Sequence, residues 1–180
     1  MRFTPLSIEG AFRIEPEPLT DARGMFARVW CMEEFAREGI GHRPVQANVG
    51  WNPRRGTLRG MHYQTEPSLE AKLIRCTRGR VWDVLVDLRP DSPSFRQWHG
   101  EELSADNRRM LFIPPLCAHG YLTLADETEL WYHASTAYDA GAARGVRYDD
   151  PSLAIRWPEP VAVISDRDRT WPLLEGDGLP

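Results

Sequence analysis

The chain has 180 residues, 42% of them hydrophobic and 27% charged, a composition typical of a globular protein and not of a disordered or fibrous one. Its formal net charge is −4, and the 22 basic and 26 acidic residues are interspersed, which argues against nucleic acid as the main partner. No apolar run approaches membrane-spanning length, and the first residues contain no signal-peptide core. We therefore expect a cytoplasmic protein with no membrane partner, whose three cysteines are reduced thiols.

One short helix is predicted in the first half of the chain. Met32, Phe35 and Ala36 have the i, i+3, i+4 spacing of one helical face, and Gly39 follows them as a stop signal. The pattern predicts a helix over residues 31–38.

Most of the remaining chain is predicted to form short strands. Residues 45–50 alternate between apolar and polar side chains, the period-two pattern of a half-buried strand. Residues 57–64 are predicted to be extended, and residues 72–88 are predicted to be a hairpin with its turn at 78–80. Further strands are predicted at 95–103, 109–113, 118–124, 129–136 and 145–148. Short strands at this regular spacing predict an all-β sandwich or barrel.

The C-terminal part of the chain is predicted to pack on this β structure. Residues 152–174 contain two Trp-Pro pairs and several Asp residues, which favours a compact extension over a free tail. Residues 175–180 are predicted to fray. We interpret residues 1–180 as a single domain, with its core at roughly 44–150 and with the N-terminal strands and the C-terminal extension packed on that core.

Four polar side chains lie in segments that a barrel would bring together. His62 lies in a predicted strand, Lys72 is the single lysine and begins an apolar strand, His119 follows a proline-rich stretch, and Tyr132 lies within an apolar strand. Taken alone, each fits a structural role, such as a core histidine or a hydrogen-bonded core aromatic. If the strands close into a barrel, inward-pointing side chains of this kind converge on one cavity. The combination indicates a site that binds an anion and moves protons.

Alternation along the strand places His62 on the same face as Gly60 and Gln64. Arg59 would then lie on the opposite face, unless a bulge at Gly60 breaks the alternation.

A series of motifs runs through nearly the whole chain. They are Asp21-x-Arg23-Gly24-x-Phe26, Gln46-x-Asn48, Leu58-Arg59-Gly60-Met61-His62-Tyr63-Gln64, Lys72-Leu73, Val86-Asp87-Leu88-Arg89, Ala118-His119-Gly120, Asp149-Asp150-Pro151, Trp157-Pro158 and Ser165-x-x-Asp168. Together they resemble the dTDP-4-dehydrorhamnose 3,5-epimerases and their 3-epimerase relatives. The resemblance implies a cupin-like jelly-roll barrel, with a few short helices, that forms a homodimer by sharing β structure.

The resemblance also implies a substrate and a set of roles. The substrate would be a dTDP-linked 4-keto-6-deoxyhexose, whose C3 and C5 protons lie beside the ketone. His62 would be the base, Asp168 the carboxylate that orients it, Lys72 the cation beside the enolate oxygen, and Tyr132 the acid on the far face. The implied substrate-binding residues are Arg23 from a dimer partner, Phe26, Gln46, Asn48, Arg59, His119 and Tyr138. No cofactor or metal is expected, because the ketone itself accepts the electrons.

Two segments depart from the family pattern. Gly141 and Ala143 stand where acidic residues are usual, and Pro115-Leu116-Cys117 replaces the usual residues before Ala118 and His119. Neither change removes the four implied catalytic residues. Both bear on substrate choice, so inversion of C3 alone is the alternative within the family.

Two other classes of protein fit the sequence less well. A metal-dependent cupin oxygenase needs several histidines and a glutamate, but Gln64 occupies the second histidine position, which leaves His62 and His119 without a full ligand set. A non-catalytic nucleotide-sugar binding protein would keep the arginines but has no need for the four implied catalytic residues.

Overall fold

The computed structural model describes residues 1–174, so the predicted frayed end at 175–180 lies outside the described residues. Strands dominate, and both helices are short, which confirms the all-β prediction. The elements are β1 (Arg2–Pro5), β2 (Phe12–Glu15), β3 (Leu19–Asp21), β4 (Gly24–Phe26), α1 (Met32–Arg37), β5 (Gln46–Asn52), β6 (Leu58–Gln64), β7 (Lys72–Arg78), β8 (Arg80–Asp87), β9 (Trp98–Ser104), β10 (Met110–Ile113), β11 (Cys117–Thr123), β12 (Thr128–Ala134), β13 (Ala143–Gly145) and α2 (Asp166–Arg169). Within the described residues, no helix is long and apolar enough to cross a membrane.

The strands form two larger antiparallel sheets and one separate hairpin. The first sheet has the order β1-β2-β10-β7-β12-β5, and the second has the order β13-β6-β11-β8-β9. Strands that follow one another in sequence often lie in different sheets, so the chain crosses repeatedly between the two layers. This two-sheet antiparallel architecture is that of a jelly roll. The hairpin of β3 and β4 pairs with neither sheet.

The main apolar core joins the two sheets. Ile74 of β7 and Leu130 of β12 belong to the same buried cluster as Leu85 of β8 and Tyr121 of β11. Because a strand alternates its side chains between two faces, each of these strands also has an outer face that something else must cover.

Short segments outside the sheets cover these outer faces. Phe35 of α1 is fully buried in a cluster with residues of the first sheet, and Gly39, at φ +75°, follows the helix, which confirms the predicted helix and its stop. Leu153 and Trp157 pack in a cluster with Met61 of the second sheet. The predicted packing of the C-terminal extension on the β structure is therefore confirmed.

The predicted hairpin over residues 72–88 is wrong. β7 pairs with β10 and β12 in the first sheet, whereas β8 pairs with β11 and β9 in the second. Gly79, at φ +73°, turns the chain from one sheet to the other, and a Cβ there would lie 2.4 Å from Thr128 Oγ1. A glycine turn between two apolar runs does not by itself distinguish a hairpin from a corner between sheets.

A buried carboxylate fixes the end of β8. Asp87 has no exposed surface, and its oxygens accept hydrogen bonds from Arg89 Nε at 2.8 Å, Ser92 Oγ at 2.5 Å and Ser94 Oγ at 2.6 Å. Burial acts to raise the pKa of Asp87, but these hydrogen bonds outweigh it and lower the pKa to about 2. The Asp87 and Arg89 side chains of the Val-Asp-Leu-Arg motif therefore stabilise the end of β8.

We expect Asp87→Asn to lower the free energy of unfolding by about 3 kcal/mol at about pH 7, because it leaves the Arg89 guanidinium without its carboxylate. A depressed pKa stabilises the fold above the unfolded value of 3.8, and this stability is lost as the pH falls toward about 2. Denaturant titrations should therefore show the wild type and the variant converging across that window. Asp149→Asn, in the more exposed pair with Arg147, is the control and should change stability by less than about 1 kcal/mol. A difference that is constant with pH would contradict the interpretation.

Candidate active site

A cavity of about 510 Å³ lies between the two sheets. It brings together all the predicted site residues except Arg23 and Phe26, namely Gln46, Asn48, Arg59, His62, Lys72, His119, Tyr132, Tyr138 and Asp168. His62 comes from β6 in the second sheet, whereas Tyr132 comes from β12 in the first. The two side chains therefore reach the cavity from different walls.

His62 and Asp168 form a close histidine–carboxylate pair at the cavity. Their atoms Nε2 and Oδ1 are 2.6 Å apart, and the backbone N–H of Gly60 donates to Asp168 Oδ2 at 3.3 Å. Burial acts to raise the pKa of Asp168, but the bonds from His62, Gly60 and the Trp171 indole outweigh it and hold that pKa below its ordinary value. The carboxylate is therefore charged and can stabilise a protonated imidazole.

The chain positions this carboxylate with a helix cap. The Ser165 hydroxyl accepts a hydrogen bond from the backbone N–H of Asp168 at 3.1 Å, so α2 begins at a fixed point. Asp168 is 5% exposed, whereas the His62 side chain is 41% exposed. The carboxylate thus lies behind the imidazole, which presents its ring to the cavity.

A close approach of β6 and β11 aims two side chains of β6 into the cavity. A Cβ on Gly60 would lie 2.5 Å from the Cα of Gly120, and the pairing of the two strands shifts register between His119 and Tyr121. The alternation of faces is broken there, so that Arg59 and His62 both line the cavity. The structure therefore has the bulge at Gly60 that the sequence analysis named as the exception to simple alternation.

The Lys72 ammonium is held at the wall of the cavity by two contacts. Its Nζ lies 3.3 Å from Glu70 Oε2 and donates to the backbone oxygen of His62 at 3.4 Å. The two side chains of the ion pair are 12% and 11% exposed, so solvent screens this pair only weakly. Tyr132 lies in the same cavity, and burial together with the charge of Glu70 raises its pKa.

Neutral groups organise the other polar side chains. Arg59 Nε donates to Asn52 Oδ1 at 2.8 Å, which leaves the rest of its guanidinium fork free to bind an anion. Gln46 Nε2 donates to Asn48 Oδ1 at 2.9 Å, and Gln46 Oε1 accepts from the backbone N–H of Tyr138 at 3.2 Å.

A second imidazole–carboxylate pair lies beside the first. His119 Nε2 is 2.9 Å from Asp83 Oδ2, and His119 is the direct cross-strand neighbour of His62. Asp83 has no exposed surface. This pairing was not predicted, because Asp83 and His119 lie 36 positions apart and on different strands.

Several other residues of the site were not predicted from the sequence. Glu70 is two positions from Lys72, so that alternation alone could have placed both on one face. Trp171 follows Asp168 at helical spacing, and its ring lies 6.2 Å from that of His62. Arg144 and Arg167 also line the cavity, but no local pattern distinguishes them from surface arginines.

Arg23 and Phe26 lie away from the cavity of their own chain. Both belong to the β3–β4 hairpin, where the Arg23 side chain is 90% exposed and pairs with Asp21. Phe26 is 74% exposed. A single chain therefore does not bring these two residues to His62.

The residues that the structure describes contain no group of three or more His, Cys, Asp or Glu side chains arranged to hold a metal ion. Gln64, which stands at the position considered for a second histidine ligand, donates to the backbone oxygen of Ser68 at 3.1 Å and accepts from the backbone N–H of Asp139 at 2.7 Å.

The fold and the cavity define a cupin-like jelly roll with a histidine–carboxylate pair between its sheets. Known proteins are similar to this chain in sequence and in fold. The family model described as dTDP-4-dehydrorhamnose 3,5-epimerase matches residues 5–176. The enzyme of that name from Methanothermobacter thermautotrophicus is 42% identical over 178 residues, which cover 97% of this chain and 95% of the relative.

Two further known proteins are similar to this chain. A dTDP-4-dehydrorhamnose 3-epimerase from Streptomyces niveus is 40% identical over 176 residues, which cover 97% of this chain and 84% of the relative. The crystal structure of the Bacillus anthracis dTDP-4-dehydrorhamnose 3,5-epimerase with TDP and PPi bound has a TM-score of 0.93 and 40% identity, over 96% of this chain and 99% of that one. The chain belongs to the dTDP-4-dehydrorhamnose 3,5-epimerase family.

The C-terminal segment leaves no space at one position of β13. A Cβ on Gly145 would lie 2.3 Å from Trp171 Cε2, and Gly145 is paired with His62 across β13 and β6. We expect Gly145→Ala to displace Trp171 and loosen α2, since a packed ring has to move. Hydrogen exchange in residues 165–171 should accelerate by about tenfold or more, as for local opening made easier by over 1 kcal/mol. Gly41→Ala, where a Cβ meets nothing within 4 Å, should leave this exchange unchanged, and equal exchange in the two variants would refute the expectation.

Proposed function

We propose that the protein catalyses epimerisation of a dTDP-4-keto-6-deoxyhexose at C3 and C5, as a cytoplasmic enzyme of deoxysugar biosynthesis. The observation that carries this proposal is the His62–Asp168 pair, at 2.6 Å, in a cavity whose opposite wall presents Tyr132. The family to which the chain belongs, and its relatives, support the choice of substrate.

In this mechanism His62 removes the proton beside the ketone and becomes an imidazolium, which the Asp168 carboxylate stabilises. The electron pair of the broken C–H bond moves into the enolate, whose oxygen faces the Lys72 ammonium. Tyr132 then gives its proton to the same carbon from the other wall. The carbon is inverted, and both side chains exchange protons with solvent before the next turnover.

The remaining predicted residues would bind the nucleotide and the sugar. Arg59 carries a guanidinium whose hydrogen-bond partner is the neutral Asn52, so its charge is available to the diphosphate. Gln46, Asn48, His119 and Tyr138 line the same cavity and supply polar and aromatic contacts. No cofactor is needed for this chemistry, because the substrate ketone stabilises the carbanion.

A homodimer completes the proposed site. Leu19 and Phe26 of the hairpin are 75% and 74% exposed, and Val45 and Val49 near the edge strand β5 are 65% and 62% exposed. Apolar exposure of this extent is typical of a surface that another chain covers. In the proposed dimer, the hairpin of one chain brings Arg23 and Phe26 to the cavity of its partner.

Proton NMR of dTDP-4-keto-6-deoxyglucose in deuterium oxide tests the reaction. With the wild type, the C3 and C5 proton signals should both disappear as solvent deuterium replaces them. His62→Ala should slow this exchange by at least about 10²-fold, the usual contribution of a general base. His99→Ala, on β9 outside the cavity, should retain it.

The outcomes of this experiment separate the proposals. Exchange at C3 alone would select the 3-epimerase alternative, which the similarity to the Streptomyces niveus enzyme keeps open. Exchange that persists in His62→Ala would contradict the assigned base. No exchange with the wild type would leave a protein that binds the nucleotide sugar without converting it, or one that acts on another sugar.

Mixed dimers test whether Arg23 acts in the partner's site. Arg23→Ala damages the site of the partner, whereas His62→Ala damages a chain's own site, so a heterodimer of the two variants has one intact site. Random mixing should therefore restore activity to about a quarter of the wild-type level. A mixture of His62→Ala and Lys72→Ala, both in their own chain's cavity, should restore nothing. Activity equal to the mean of the two parents would show that Arg23 serves its own chain.

A further inference from the structure

One cavity residue has no role in the proposed reaction. Glu70 precedes β7 and lines the cavity, and its Oε2 lies 3.3 Å from the Lys72 ammonium. Its side chain is 11% exposed. Burying a charged carboxylate to this extent costs free energy of folding unless a nearby positive charge or hydrogen bonds compensate it.

The position of Glu70 gives its charge two neighbours. The first is the Lys72 ammonium, which Glu70 and the backbone oxygen of His62 hold from two sides. The second is the Tyr132 hydroxyl, whose pKa is raised mainly by burial and then by the negative charge of Glu70. Glu70 therefore contacts the ammonium proposed to face the enolate oxygen, and it lines the same cavity as the proposed acid Tyr132.

Other ionisable groups face the cavity from several elements. Arg59 from β6 opposes Glu70 and acts to lower the pKa of Tyr132. The remaining ionisable side chains that line the cavity are His62 and Tyr63 of β6, Lys72 of β7, His119 and Tyr121 of β11, Tyr138, Arg144 of β13, and Arg167 and Asp168 of α2. Glu70 is thus the carboxylate that favours the protonated form of this phenol.

We propose that Glu70 is a positioning residue of the active site, whose carboxylate holds the Lys72 ammonium at the cavity wall and keeps Tyr132 in its proton-donating form. The inference deepens the proposed function and rests on it for the roles of Lys72 and Tyr132. In the step concerned, the O–H bond of Tyr132 breaks as the new C–H bond forms, and the phenolate regains a proton from solvent. A carboxylate beside the phenol favours that return.

The first test needs no substrate. Tyrosinate absorbance is followed during an alkaline titration of the wild type, Glu70→Gln, Tyr132→Phe and the double variant. Glu70→Gln should move part of the titration to lower pH, because a negative charge near a tyrosine is removed. This shift should be absent when Glu70→Gln is compared in the Tyr132→Phe background. Glu70→Asp, which keeps the charge, should titrate nearly as the wild type does.

The second test uses turnover. The alkaline limit of kcat should move to lower pH in Glu70→Gln, because the carboxylate that favours the protonated phenol is removed. Glu102→Gln, which removes a carboxylate 43% exposed on β9, should not move it. A purely structural loss would lower the amplitude of the profile and leave its position unchanged.

The two tests fail in different ways. If Glu70→Gln titrates as the wild type does, or if its shift persists without Tyr132, the role of Glu70 is refuted whatever the enzyme's activity. If the titration shifts as expected but the wild type exchanges no substrate proton, the proposed function falls while the coupling between Glu70 and Tyr132 stands.

Discussion

The contact between the His62 imidazole and the Asp168 carboxylate is the interaction on which the cavity depends. It joins two residues 106 positions apart, one in a central strand and the other in a helix of four residues. So short a helix has little stability of its own. It is held by the Ser165 cap and by the Trp171 ring packed against Gly145. The pair therefore exists only when the C-terminal segment is docked across β6.

The two-sheet architecture explains why the proposed acid and base can serve one carbon atom. Inversion requires that a proton leave on one side of the carbon and return on the other. β6 and β12 belong to different sheets, so a ligand between the sheets meets His62 from one wall and Tyr132 from the other. Residues of a single sheet face would approach from one side. The fold thus places the proposed base and the proposed acid on opposite sides of a bound ligand.

Much of the secondary structure was predictable from the sequence, because the periodicity of apolar side chains reflects the local backbone conformation. The short helix before Gly39 and the series of strands follow from side-chain spacing. The hairpin at 72–88 was predicted wrongly, since strand pairing depends on distant strands: β7 lies between β10 and β12, and no residue near Gly79 encodes that. The positions of Arg59 and His62 on one cavity wall depended on the approach of Gly60 to Gly120.

Local sequence patterns were likewise not enough to group the residues of the site. His62, Lys72, Tyr132 and Asp168 were proposed through a resemblance, and their spacing along the chain would not have grouped them. The structure adds two partners that were not predicted from the sequence. Asp83 lies 36 positions from His119 and on another strand, whereas Glu70 is two positions from Lys72, where alternation alone could have placed both on one face. The catalytic roles of His62, Lys72, Tyr132 and Asp168 are still predictions.

The charged groups of the cavity form two sets. His62, Lys72 and His119 are each paired with a carboxylate, so their charges are balanced locally. Arg59, Arg144 and Arg167 also line the cavity, and within the part of the chain that the structure describes none of them has a carboxylate at salt-bridge distance. Guanidinium groups without a carboxylate partner suit a diphosphate, whereas paired charges suit a neutral sugar whose charge develops only during reaction. A substrate that has both an anionic part and a neutral reacting part therefore matches the two sets of side chains.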